Sequence, residues 1–269
     1  MLFPRRATSL RALAGLTGAA LLTAALAGCG GSAASSGPSA PGRAVGTRLD
    51  ARVAQQVLSL PFTDAQGHTV TLGSFRDKVV VLYAAMTECT SDCPLDTSNI
   101  VTAARATDRA GLSNKVEYLS ITVDPRRDTP QQLAAYRKLY AAPDQLTNWK
   151  LLTGSQQHIS ALWKYLGVYW KKVPSEKPYP RDWRTHKPLT YDIQHADEVF
   201  LLDGRGHERF VISGHAHVPN HAAVPARLRG FLDEHGRQHL DHPGMDAWTP
   251  QDVLKGVSWL TGREVSLPS

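Results

Sequence analysis

The chain has 269 residues, 42% hydrophobic and 20% charged, enough apolar material for one large core and too much for wholesale disorder. Lysine and arginine exceed the acids by six, but Arg5, Arg6 and Arg11 lie in an acid-free head, so the remainder carries three fewer, +3; without a basic run this excludes a nucleic-acid partner. Three cysteines are too few for a disulfide-stapled miniprotein.

Met1 to Arg11 is an arginine-rich leader, and Ala12 to Ala27 is an Ala/Leu/Gly/Thr run of signal-peptide length, too short and too weakly apolar to span a bilayer. It ends in Leu26-Ala27-Gly28-Cys29, which resembles the bacterial lipobox. That resemblance implies cleavage after residue 28, lipidation of Cys29 and an extracytoplasmic protein anchored to a bacterial membrane. Arg5-Arg6 is a poor match to a twin-arginine signal. Residues 29–47, mostly Gly, Ser, Ala and Pro, are expected to form a flexible tether, leaving 48–269 as one folded domain with a histidine-rich C-terminal extension.

Along that domain, His68 to Leu72 alternates as a strand, and the apolar run Val79 to Ala85 reads as a buried central strand. Pro94 to about Ala110 follows as a helix and Val116 to Val123 as a second strand ended by Asp124-Pro125. Thr129-Pro130-Gln131-Gln132 has the form of a capping box opening a helix to Tyr140. A short strand (149–152), a helix (156–166) and a hairpin of Glu198–Leu202 with Glu208–Ile212 around Asp203-Gly204-Arg205-Gly206 come next. Helices over Pro225–His235 and Pro250–Leu260 finish the chain. Strand-helix-strand-helix, then a hairpin and a helix, is the order of an α/β thioredoxin-like fold, a central mixed sheet flanked by helices.

Cys89 and Cys93 are the two thiols left if Cys29 is lipidated, and they stand where the central strand gives way to a helix. A helix N-terminus favours thiolate over thiol, so the pair is expected to be reactive or metal-binding. As a structural disulfide it would close too short a loop to stabilise much. The C-x-x-x-C spacing leaves redox and metal use open. Two thiolates and one imidazole would suit copper, with the third donor elsewhere in the chain.

The segment Met86-Thr87-Glu88-Cys89-Thr90-Ser91-Asp92-Cys93-Pro94-Leu95 is similar to the Thr-x-Cys-x-x-x-Cys-Pro motif of the Sco/SenC family, copper proteins that assist assembly of cytochrome c oxidase. Ser120 to Pro130 resembles that family's second signature. Gln194-His195-Ala196, ahead of Val199 to Gly204, resembles its third, in which a metal-binding histidine precedes a strand ending in Leu-Ile-Asp and Gly. The resemblance runs from about Phe62 to Ile212. It implies a thioredoxin-like domain in which Cys89, Cys93 and His195 bind one copper ion for the copper-site subunit of a respiratory oxidase, with a thioredoxin-like reductant as a further partner. Two departures stand out: Thr90 replaces a frequent Pro, and Gln194 replaces a frequent Asp, which leaves Asp192 and Asp197 as the nearby carboxylates.

Asp124 and Asp128 read as turn and helix-cap residues supporting the site. Seven of the eleven histidines fall between His207 and His242. Lacking a cysteine or helical spacing among them, they are read as a solvated loop in preference to a metal-capture site. The tryptophans are read as core. Lys171 to Lys187, rich in Pro, Lys, Arg and Trp, reads either as a loop over the site that docks a partner or as a surface excursion. Overall the sequence points to a copper metallochaperone rather than an enzyme. The alternative is a membrane-anchored thiol-disulfide oxidoreductase using Cys89 and Cys93 on an oxidase subunit or another exported protein; a peroxidase on the same fold ranks below both.

Overall fold

The computed structural model describes residues 37–142 and 145–268. The expected signal segment, Cys29 and the tether up to residue 36 lie outside the described residues. After a turn closed by Val45 N–H on the Gly42 carbonyl come β1 (Thr47–Arg52), α1 (Gln55–Leu58), β2 (Phe62–Asp64) and β3 (Thr69–Val70). Then follow β4 (Val79–Ala85), α2 (Cys93–Arg109), β5 (Val116–Thr122), α3 (Pro130–Tyr140), β6 (Trp149–Thr153) and α4 (Gln156–Leu166). The second half contains β7 (Trp170–Pro174), β8 (Tyr191–His195), β9 (Val199–Leu202), β10 (His207–Ile212), α5 (Ala226–Arg229), α6 (Glu234–Asp241) and α7 (Pro250–Thr261).

Eight strands form one sheet in the order β1-β10-β9-β4-β5-β6-β2-β3. The seven residues of β4 are all buried, because both faces of this strand are covered. Val79, Val81, Tyr83 and Ala85 face a core shared with α2, α3 and α7, whereas Val80, Leu82 and Ala84 face a second one containing Ile159, Leu162 and Trp163 of α4. On one side β4 pairs in parallel with β5, from Val79 opposite Val116 to Ala85 opposite Thr122. Such a pair needs a crossover, which α2 supplies. On the other side β9 runs antiparallel to β4 and β10 to β9. The central order β5-β4-β9-β10, with α2 and α3 as crossovers and α7 last, is thioredoxin-like. A Cβ on Gly256 would lie 2.4 Å from Leu201 Cδ2, so glycine lets α7 lie directly on β9.

Local chemistry sets the helix ends. Thr129 caps α3 by accepting Gln132 N–H, with Pro130 at the first helical position, and Ser155 caps α4 by accepting His158 N–H. The C-terminal region differs from expectation: the single helix over 225–235 is two short helices, because Asp233 accepts the Gly236 amide and starts α6 afresh. The segment expected as a loop also gains structure. β7 pairs antiparallel with β8 from Trp170 opposite His195 to Pro174 opposite Tyr191, forming a separate two-stranded ribbon. Among the described residues no helix is long and apolar enough to cross a membrane.

Candidate metal centre

β4 ends at Ala85 and hands over to the loop carrying Cys89; Cys93 is the first residue of α2. Both are free thiols, 5% and 1% exposed. The Cys93 amide points back at Cys89 Sγ at 3.4 Å, so the first sulfur sits over the opening turn of the helix. His195, the last residue of β8, enters from the other side, and its Nε2 lies 3.2 Å from Cys93 Sγ. Its Nδ1 meets the Ala196 carbonyl at 3.1 Å. A proton on Nδ1 satisfies that contact and leaves the Nε2 lone pair facing the sulfur, the tautomer a metal ligand needs. The contacts therefore run from Cys89 to Cys93 and from Cys93 to His195. Of the two nearby carboxylates, Asp197 stands beside the histidine, its Oδ1 3.4 Å from Nδ1, while Asp192 accepts the amide of Ile193.

Burial opposes the expected thiolate at the second cysteine. It pushes the Cys93 thiol well above its ordinary value, and its contact with Cys89 and the negative charges of Asp197 and Asp96 add to the effect. Burial thus favours the protonated thiol at Cys93. A soft cation bound by two sulfurs and an imidazole fits this donor set.

Three chain segments are fastened together around these atoms. Asp128 is fully buried and accepts the hydroxyls of Thr87 and Thr122, both at 2.5 Å, joining the cysteine loop to β5. It does not cap α3, as the sequence pattern suggested; that role belongs to Thr129. Asp124 takes Arg127 Nε and, at 3.1 Å, the Tyr191 hydroxyl, while Arg127 donates to the Tyr191 carbonyl at 2.9 Å and to Met86 Sδ at 3.2 Å. The second signature thus ties the cysteine loop to the strand that carries His195. Trp183, from the excursion after β7, is buried and donates to the Thr87 carbonyl at 2.9 Å. Burial pushes Asp128 up to about 6, and Glu88 up to about 8 with help from Asp182 and Asp128.

The C-terminal extension reaches the same loop. Thr90 Oγ1 donates to Asp233 at 2.7 Å and the Asp233 amide to the Thr90 carbonyl at 2.8 Å. His215, His235 and His239 converge on Asp92, against the expectation of a solvated loop. His235 and His239 are four apart on α6, hence on one face, a spacing that went unread because the expected helix stopped at His235.

A thioredoxin-like sheet presenting two thiols and a buried imidazole at a strand–helix junction defines the class of soft-metal and thiol proteins built on this fold. The chain belongs to the SCO1/SenC family, whose model matches residues 53–229 and so covers Cys89, Cys93 and His195. It is 28% identical over 145 residues to Protein sco1 of Schizosaccharomyces pombe, 53% of this chain and 49% of that one. It is also 28% identical over 102 residues to the SCO1 protein homolog of Bacillus subtilis, 38% of this chain and 51% of that one. The alignments thus span about half the length of these relatives. Among solved structures it is similar to Bradyrhizobium japonicum ScoI with copper bound, 27% identical with a TM-score of 0.47, covering 64% of this chain and 97% of that one.

Proposed function

We propose that Cys89, Cys93 and His195 bind one copper ion as cargo and that the protein passes it to the copper-site subunit of a respiratory cytochrome c oxidase. The observation that carries this reading is the buried Cys93 Sγ–His195 Nε2 contact at 3.2 Å with Nδ1 already committed. Family membership supports it, as do the three motifs whose resemblance implies copper. The residues divide the work. Cys89, over the helix N-terminus, is the sulfur that can meet an incoming ion without first breaking a contact to the histidine. Cys93 gives up its proton on binding, so uptake releases acid and weakens as the pH falls. His195 completes the set. Release is an exchange in which thiolates of the acceptor replace these donors one at a time. On this reading Cys29 carries a lipid outside the cytoplasm, the segment 29–47 tethers the domain to the bacterial membrane, and a thioredoxin-like reductant keeps the cysteines reduced.

Anaerobic copper titration of the reduced protein tests the proposal. We expect one tightly held copper per chain, abolished in Cys89→Ser/Cys93→Ser and weakened in His195→Ala, while thiol–disulfide exchange survives the histidine change. Failure of the reduced protein to hold copper against a modest competitor would reject the chaperone reading and put thiol–disulfide chemistry in its place.

A further inference from the structure

Asp92 occupies the N-cap of α2, where an aspartate ordinarily accepts an amide of the first turn, yet its side chain makes no capping bond. Its two oxygens face the C-terminal extension instead. Oδ1 lies 2.5 Å from His239 Nδ1 and Oδ2 lies 3.3 Å from His215 Nδ1. His235 joins from one turn before His239, their ring centroids 4.0 Å apart, while the His215 ring is 4.1 Å from His239 on the other side. Ligand atoms of Asp92, His235 and His239 all fall within 4.8 Å of one another, as do those of Asp92, Asp197 and His215. Donors bound to one small ion at about 2.0–2.2 Å stand roughly 3–4 Å apart, so the side chains have little distance to travel.

A second observation is a buried acid beside this cluster. One turn into α2, Asp96 is 2% exposed, and neither of its carboxylate oxygens has a hydrogen-bonding partner among the described residues. A buried carboxylate without a partner is costly, and here its electrostatic neighbours are the carboxylates of Asp197 and Asp92 and the Cys89 sulfur. Asp92 and Asp197 are themselves members of the His/Asp groups, so a cation held there would also offset the crowding of acids around Asp96.

We propose that Asp92, His215, His235 and His239 form a second metal site, one that takes a late first-row divalent ion, Cu(II) more tightly than Zn(II). The donor set is three nitrogens and an oxygen, harder than the two sulfurs and one nitrogen of the cysteine centre, so the two sites favour different ions and oxidation states. Asp92 and His215 lie inside the family match and His235 and His239 beyond its end at residue 229, so the site joins the matched domain to the extension. It goes beyond the proposed delivery function and does not depend on it, because none of its ligands is a cysteine.

The test uses the full chain with Cys89→Ser/Cys93→Ser, so that the cysteine centre is absent, titrated with Cu(II) and separately with Zn(II). One Cu(II) per chain is expected, with nitrogen hyperfine structure from more than one imidazole in its electron paramagnetic resonance spectrum and with Zn(II) displaced by Cu(II). Adding His239→Ala, or His235→Ala alone, should weaken that binding about tenfold or more. His235 is exposed, so its removal decides the matter even if His239→Ala unfolds. His68→Ala/His158→Ala, remote histidines in the same background, should change nothing. No stoichiometric Cu(II), or equal losses from the remote and the α6 histidines, would overturn the site.

Discussion

Thr90 and Asp233, 143 residues apart, hold each other twice: hydroxyl to carboxylate at 2.7 Å and amide to carbonyl at 2.8 Å. The residue after the first cysteine, where the family often has Pro, is the point at which the extension grips the cysteine loop. Asp233 also caps α6 by accepting Gly236 N–H at 2.8 Å. Asp233→Ala removes the cap and one half of the clasp and should lower stability by about 1–2 kcal/mol. Thr90→Val removes only the hydroxyl bond and should cost about 1 kcal/mol. Chemical denaturation of both and of the double variant checks this: the losses should fall short of adding, since one bond is common to both changes.

Gly236 is a sharper case, because the local and tertiary expectations have opposite signs. In an isolated helix alanine is favoured over glycine by about 1 kcal/mol. Here a Cβ would lie 2.7 Å from the Thr90 carbonyl and 2.9 Å from Ser91 Cα, both backbone atoms. Gly236→Ala should therefore destabilise the protein and loosen α6 from the cysteine loop. A rise in melting temperature would show that the helix is free to move away.

In the proposed copper site Asp197 is a positioning residue that acts through His195. Its Oδ1 lies 3.4 Å from Nδ1, on the far side of the ring from the sulfur, where it adds basicity and fixes orientation. Asp197→Asn should weaken Cu(I) binding about tenfold, measured against a competing chelator, while the thiols stay as reactive toward an alkylating probe as before. Unchanged affinity would show that Asp197 does not act through His195.

Asp128 gives the stability a readable pH dependence. Burial raises its folded value to about 6, above that of an exposed aspartate, so between roughly pH 4 and 6 the folded state keeps a proton that the unfolded chain has lost. This contribution leaves stability untouched below that window and subtracts from it as the pH rises through it, by up to about 3 kcal/mol. Asp128→Asn lacks the titration, so the gap between variant and wild type in thermal melts should shift in the variant's favour from pH 4 to pH 6. A constant gap would mean that Asp128 is ionised throughout.

Much of this was legible in the sequence where burial is two-sided or a cap is present. The β4 run, the Thr129–Pro130 start of α3 and the Asp203–Gly206 turn between β9 and β10 all declare themselves locally. The β7–β8 ribbon did not, because β7 carries lysines and a proline and has no buried face to impose alternation. The motifs named Cys89, Cys93 and His195, and the fold brings Cys93 and His195 into contact. The Asp92 cluster stayed hidden for another reason: a histidine-rich tail looks solvated until a long-range contact, here Thr90 with Asp233, lays it against the helix that holds the acid.

Cys93 and His195 stand 102 positions apart, which puts the donors in a fixed temporal order as the chain emerges. The thiols leave the ribosome first, the imidazole only after the β7–β8 ribbon can close, and the α6 histidines last of all. A half-made chain thus exposes two bare sulfurs with nothing to complete them. On the proposed function, an ion bound only by the finished fold acts as a seal on it, holding the ribbon, the helix start and the sheet together for as long as it stays.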